Sequence, residues 1–295
     1  MTRCGVVAFL GASNVGKSTL LNRLVGQKVS IVSPKVQTTR SKIRGIAVHE
    51  DTQLIFIDTP GVFRPHNRLE RAMVSAAWDE ALDADMRLVV IDAQQKIDEN
   101  TQAILKRLPE KSAFIALNKI DLIDKAALLP LIDSLKDIPS VDEIFCISAQ
   151  TGENVNQLLQ ALIQRMPQAP FMYPEDQVSD LPQRLFAAEI TREKIFFLLR
   201  QELPYSIAVA TTQWKETADA IRIEQTIFVE REGQKAIVIG KKGSMLAKIG
   251  SAARMAMTQA FEKTVHLFLL VKVKEGWADD PERYKEWGLD FNAKN

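Results

Sequence analysis

Short continuous apolar runs recur through the first half of the chain, at residues 6–10, 54–57, 88–91, 114–117 and 144–147. Each is bounded by Gly, Asp, Asn or Ser, and segments with helical spacing, such as 100–108 and 125–135, separate them. Apolar strands that alternate with helices predict a parallel sheet covered on both faces. Such sheets bind ligands beyond the C-terminal ends of their strands, and here the polar motifs follow the apolar runs directly.

The pattern changes after residue 167. Pro167, Pro170, Pro174 and Pro182, set among Gln168, Glu175, Asp176 and Asp180, read as a linker over 168–182. Beyond it, 185–203 has helical spacing, 206–212 and 221–232 read as strands, 244–262 is helical, and 265–273 alternates as a strand. The expected organisation is an α/β domain over 1–167 and an α+β domain over 183–295, the latter ending in a short helix near 281–287 and a tail.

The 295 residues are 46% apolar and 25% charged, an ordinary globular composition that excludes disorder over most of the length. Cys4 and Cys146 are too few for a disulfide framework or a four-ligand zinc site, and three scattered histidines show no metal-ligand spacing. No apolar run approaches a membrane span, and the run at 6–10 leads into a glycine loop instead of a cleavage site, so a cytoplasmic location is expected. Lys and Arg number 38 against 37 Asp and Glu, a net charge of +1 that, spread evenly, would argue against a nucleic-acid partner.

Gly11-Ala12-Ser13-Asn14-Val15-Gly16-Lys17-Ser18 fits G-x-x-x-x-G-K-[ST] between an expected strand and an expected helix that opens at Thr19. Backbone N–H groups of residues 14–18 would cradle phosphates at the helix N-terminus, Lys17 would reach the β- and γ-phosphates, and the Ser18 hydroxyl would meet Mg²⁺. Asp58-Thr59-Pro60-Gly61 follows the second run. Asp58 can hold Mg²⁺ through water, and Gly61 lets a backbone N–H approach the γ-phosphate. Alone, that tetrapeptide is an ordinary turn. Asn118-Lys119-Ile120-Asp121 follows the fourth run. The Asp121 carboxylate can accept from guanine N1–H and N2–H₂, donors that adenine lacks, while Asn118 tethers the base loop and the Lys119 stem covers the purine. Ser148-Ala149, after the fifth run, would offer a backbone N–H to guanine O6.

The order of these motifs resembles that of the translation-factor class of bacterial GTPases. The resemblance implies a GTP/GDP site with Mg²⁺ held by Ser18, Thr39 and Asp58, where Thr39 comes from Gln37-Thr38-Thr39-Arg40 and Thr38 is the alternative. It implies catalytic roles for Lys17, Thr39 and Gly61. Asn14 matches relatives that recruit K⁺ beside the phosphates. Val62 stands where Ras-like enzymes carry the Gln that orients water, which implies slow hydrolysis by the protein alone or water positioned by other groups. Ala12-Ser13 departs from the Arg-Pro more common in such chains.

In the second half, Ile239-Gly240-Lys241-Lys242-Gly243 lies between two helical segments, after a strand pair and before a final strand. A second P-loop fails there, because Lys235 and Lys242 occupy the places of the first Gly and the Ser/Thr. The loop resembles the GXXG loop of type II KH domains, which clamps about four nucleotides. Between residues 234 and 274 stand eight basic residues (Lys235, Lys241, Lys242, Lys248, Arg254, Lys263, Lys272 and Lys274), opposed only by Glu262. That is an electrostatic footprint hidden inside a neutral chain. Candidate RNA contacts are Ile239, Gly240, Lys241, Lys242, Gly243, Lys235 and Lys248. Lys35, Arg40, Lys42 and Arg44 add basic charge near the first switch.

Together with Glu202-Leu203-Pro204-Tyr205-Ser206, the run from Val229 to Lys235 and that from Val271 to Asp280, the whole chain resembles the branch of these GTPases that pairs the G domain with a C-terminal KH domain. The fold then expected is an α/β P-loop GTPase domain, mostly parallel with helices on both faces, followed by an α+β type II KH domain. Its implied partners are the 3′ end of the small-subunit rRNA and the small ribosomal subunit. The resemblance also implies peripheral inner-membrane association; nothing signals an obligate oligomer, so a monomer is expected. Two other readings are a signalling GTPase whose C-terminal domain binds protein or membrane, and an RNA-binding module with a vestigial nucleotide site.

Overall fold

The computed structural model describes residues 1–35, 38–40, 42–63, 65, 67–110, 112–199 and 203–293, with the backbone alone at 205, 278 and 286. Gln37 of the expected switch motif and Glu202 lie outside the described residues. Two compact units result: residues 31–35 and 181–283 form one, and the other described residues form the first.

The first unit contains β1 (Arg3–Leu10), α1 (Lys17–Val25), β2 (Ile43–His49), β3 (Thr52–Asp58), α2 (Arg68–Asp83), β4 (Met86–Asp92), α3 (Glu99–Arg107), β5 (Ala113–Asn118), α4 (Leu128–Leu135), β6 (Val141–Cys146) and α5 (Val155–Arg165). The sheet order is β2-β3-β1-β4-β5-β6. All neighbours are parallel except β2, which pairs antiparallel with β3. Every residue of β3 and β5 is buried, as strands covered on both faces require. On one face Ala8, Leu10, Val89, Ile91, Ile115 and Leu117 pack with Ala77 and Trp78 of α2 and Ile104 and Leu105 of α3. From the alternate positions, Phe9 and Phe56 meet with ring centroids 5.7 Å apart.

Caps fix the helix starts. The Asn67 side chain accepts from the Glu70 N–H (2.9 Å) and donates to the Glu70 carboxylate (3.0 Å), and Asp98 accepts from the Thr101 N–H (2.8 Å). Hydrogen bonding to the α3 cap holds the Asp98 carboxyl below its ordinary value despite the opposing effect of its burial. The expected helix at 125–135 opens as a 3-10 turn, Lys125–Ala127, before α4 proper.

The second unit contains α6 (Gln183–Leu198), β7 (Ala208–Glu216), β8 (Ala220–Val229), α7 (Glu232–Ile239), α8 (Ser244–Phe261) and β9 (Thr264–Val273); α9 (Pro281–Glu286) follows. The sheet order is β7-β8-β9, antiparallel then parallel, so the α7–α8 pair forms the crossover. Ile195, Ile207, Ile227, Val229, Val238, Ile249 and Val271 form its core. The helix expected over 185–203 ends at Leu198, with a 3-10 turn at Leu203–Ser206, and the strand expected over 221–232 stops at Val229. There the Gln234 side chain accepts from the Glu230 and Arg231 N–H groups and starts α7.

Candidate functional site

The loop between β1 and α1 turns through Asn14 (φ 64°) and Gly16 (φ 102°). Gly16 is required twice over. Its φ is in the left-handed region, and a Cβ there would collide with the Asn118 amide. The Lys17 ammonium donates to the carbonyls of Gly11 (3.0 Å) and Ala12 (2.8 Å), which spans it across the loop and leaves one of its three donors for a phosphate. Burial lowers the Lys17 ammonium to about 8, and the Asp58 charge opposes the shift. Gly61 packs against Ser13, where a Cβ would lie 2.7 Å from its Oγ, and Val62 N–H donates to the Gly11 carbonyl (3.1 Å). The Thr59 hydroxyl bonds the Phe9 carbonyl (2.5 Å), and Pro60 and Thr19 flank the two turns.

Asp58 ends β3 fully buried. Its Oδ2 accepts from the hydroxyls of Ser18 (2.6 Å), Ser30 (2.9 Å) and Thr39 (3.1 Å), and Ser18 Oγ lies 3.2 Å from Thr39 Oγ1. Burial pushes the Asp58 carboxyl above its ordinary value, opposed by the Lys17 charge and these three bonds. Asp58 Oδ1 is buried with no hydrogen-bond partner among the described residues. A buried carboxylate oxygen with nothing to bind is costly unless a cation or its water meets it. The three oxygens of Ser18, Thr39 and Asp58 are the hard donor set that Mg²⁺ takes, so the residues present fit that ion. Ser30 is a partner that the sequence reading missed; a lone serine gives no signal until its distance to Asp58 is known.

Asn118 joins two loops: its amide donates to the Val15 carbonyl (2.8 Å), and its Oδ1 accepts from the Ala149 N–H (2.8 Å). The Lys119 ammonium is held by Asp92 at the end of β4 (2.6 Å), with Lys119 at φ 68°. Asp121 is exposed on a 3-10 turn, Ile120–Leu122. Ser148 is fully buried, and its Oγ accepts from the Thr151 N–H (3.0 Å). Arg23 of α1 bonds the carbonyls of Ala149 (2.6 Å) and Gln150 (2.5 Å), and Asn22 organises Val29 and Ser30. Asp92, Arg23 and Asn22 are further members of the site that no motif announced. Val62 is buried as a member of the hydrophobic core that also contains Leu10, Trp78 and Ile91.

In the second unit, α7 ends at Gly240, a 3-10 turn spans Lys241–Gly243, and Gly243 (φ 77°) caps α8. Lys242 adopts φ 52°. An open groove of about 440 Å³ follows, lined by Gly243, Leu246, Gly250, Arg254, Leu267 and Leu269 among others. Ala247, Gly250 and Ser251 are its small residues on α8, a spacing legible in the sequence but unread there. Lys241, Lys242 and Lys248 are exposed. Lys235 instead pairs with Glu232 (3.5 Å), and Ile239 packs against the domain core. The basic residues near the first switch are also engaged: Lys35 donates to the Leu199 carbonyl (2.7 Å), Arg40 is buried, Lys42 pairs with Glu80 (2.6 Å) and Arg44 with Asp180 (3.0 Å).

Comparison with known proteins agrees with both halves. Residues 6–119 match the 50S ribosome-binding GTPase family, and residues 202–278 match the KH domain family. The GTPase Era of Rhizobium meliloti (strain 1021) is 51% identical over 293 residues, covering 98% of this chain and 94% of its own, and that of Brucella suis biovar 1 is 51% identical over the same shares. An Era crystallised with MgGDPNP and nucleotides 1506–1542 of 16S ribosomal RNA superposes with a TM-score of 0.92 at 39% identity, over 98% of this chain and 99% of that one. A variant of Aquifex aeolicus Era bound to GDP·AlF₄⁻ superposes equally well, TM-score 0.92 at 39% identity, over 97% and 99%.

Proposed function

The chain belongs to the Era family of GTPases, and from that premise we propose that it binds and hydrolyses GTP and couples the bound nucleotide to recognition of the 3′ end of 16S rRNA during small-subunit assembly. The observation that supports this most directly is the convergence of Ser18, Thr39 and Asp58 beside Lys17, with Asp58 Oδ1 left for a cation. Residues 14–18 and Lys17 hold the phosphates, and Asp121, Asn118, Lys119 and the Ser148-Ala149 turn hold guanine. Ser18, Thr39 and Asp58 would hold Mg²⁺, which would supply positive charge to offset the charge that develops on the phosphates. With Val62 buried, position 62 supplies no hydrogen bond to the attacking water, so turnover rests on positioning and electrostatics and is slow.

The coupling is supported by the segment between α1 and β2. Residues 31–35 belong to the second unit, where the Val32 N–H donates to Glu193 (3.1 Å), while Thr39, four residues further on, bonds Asp58. A ligand shifts such an equilibrium only by its different affinities for the two states. RNA affinity is therefore expected to differ between the GDP form and a form loaded with a non-hydrolysable GTP analogue, measured by anisotropy on an RNA from the 16S 3′ end. Equal affinities would remove the switch, and no salt-dependent affinity at all would favour a protein- or membrane-binding C-terminal domain.

K⁺ recruitment by Asn14 belongs to the same proposal, and equal GTP turnover in K⁺ and Na⁺ buffers would remove it. Peripheral contact with the inner membrane rests on family likeness; no helix among the described residues is long and apolar enough to cross a membrane. Vesicle flotation tests the membrane contact, and sedimentation tests the monomeric state.

A further inference from the structure

The KH-type sheet has a second face that the groove does not use. Burial alternates along β9: Val265, Leu267, Leu269 and Val271 face the helices, while His266, Phe268, Leu270 and Lys272 are exposed. Phe268 is 48% and Leu270 51% exposed, although large apolar side chains on a sheet are ordinarily covered. At one end of this face the Arg283 guanidinium covers the Phe228 ring, 4.3 Å from its centroid. The other end is built differently. Glu224 accepts from Arg222 (2.9 Å), and the Arg222 guanidinium lies over the Phe268 ring, 4.3 Å from its centroid.

We propose that this open face is a second RNA surface, a stacking platform for bases of a single strand that continues from the GKKG groove over the free edge of β9. Three observations point to RNA as the occupant. β9 is an edge strand whose Leu267 and Leu269 line the groove, while the residue between them, Phe268, stands on the opposite face, so one strand serves both surfaces. Lys215, Arg222 and Lys272 join Arg283 as basic residues of this face, and Glu224 on β8 is already paired with Arg222. A half-exposed ring with a flat guanidinium stacked over it presents planar groups on which unpaired bases stack. The groove alone accounts for about four nucleotides, so a longer strand needs somewhere to go.

This inference rests on the GKKG groove being an RNA site, and the test separates the two. The full-length protein, loaded with a non-hydrolysable GTP analogue, is titrated with 5- and 12-nucleotide RNAs of the same 16S 3′-end sequence at fixed salt. Phe268→Ala is expected to weaken the 12-mer about tenfold and to leave the 5-mer unchanged. Phe268→Trp should restore the 12-mer, and Phe268→Leu, apolar but unable to stack, should not. Gly243→Asp should weaken both. Unchanged 12-mer affinity in Phe268→Ala overturns the platform while the groove stands. Full affinity in Phe268→Leu also overturns it, in favour of an apolar protein contact. If Gly243→Asp leaves the 5-mer unaffected, the groove reading fails and the platform falls with it.

Discussion

Asp121 can be tested by what its replacement would recognise. A carboxylate only accepts hydrogen bonds, whereas an amide in its place both accepts and donates. Asp121→Asn should therefore lower affinity for GTP and raise it for the xanthine nucleotide, whose C2 carbonyl accepts where guanine donates. Competition binding with the two nucleotides reads the change, and a reversal of preference of at least about a hundredfold is expected from the polar groups left unpaired against the wrong base. Val62 is a test of the opposite kind. Its side chain belongs to the core, so Val62→Ala should cost roughly 2 kcal/mol of stability through lost burial and a cavity. Intrinsic GTP turnover should stay above about half, because no hydrogen bond to water is removed. Complete loss of turnover in a folded variant would contradict the role given to position 62. Asp121 was legible in the sequence because its spacing to Asn118 is chemically specific, and Val62 because of the residue type it replaces. Ser30 and Asp92 were not, since a single polar residue has no period or spacing to betray it.

Between elements, Asn118 is the joint of the nucleotide site. It terminates β5, yet its amide satisfies a carbonyl in the loop after β1 and an N–H in the loop after β6. Asn118→Ala leaves two backbone groups without that partner, at about 1–3 kcal/mol each where buried. GDP affinity should fall at least tenfold and the Tm should drop, whereas a variant of an exposed residue such as Gln102 should change neither. Calorimetry and thermal unfolding measure both. The apolar runs announced β1, β3, β4 and β5 because those strands are covered on nearly every residue, and β6 because its run at 144–147 survives although it is the half-exposed edge strand. β2 went unread because it is the sheet's antiparallel edge. It contains Gly45, which a strand reading discounts but which α1 requires: a Cβ there would lie 2.7 Å from both Leu21 and Val25. The same blindness hid Arg23, whose role exists only once α1 stands beside the loop after β6.

Across the molecule, charge is segregated, and the structure shows how much of it is available. Of the eight basic residues between 234 and 274, Lys235, Lys263 and Lys274 pair with Glu232, Glu216 and Asp280. Lys241, Lys242, Lys248, Arg254 and Lys272 have no ion pair among the described residues. Counting charges along the sequence therefore overstates the footprint, because ion pairing depends on which strands and turns meet. The paired lysines already have counter-charges, so only the unpaired ones should release ions from RNA on binding. For single strands the logarithm of the binding constant falls with that of salt by about 0.7 per phosphate neutralised. Replacing both Lys241 and Lys242 by Ala should flatten the slope by about 1.4, while Lys263→Ala should leave it unchanged despite removing one formal charge. Anisotropy titrations of the 16S 3′-end RNA from about 50 to 200 mM KCl resolve a change of that size. An equal effect from Lys263→Ala would mean that net charge, not the placement of free lysines beside the groove, drives RNA binding.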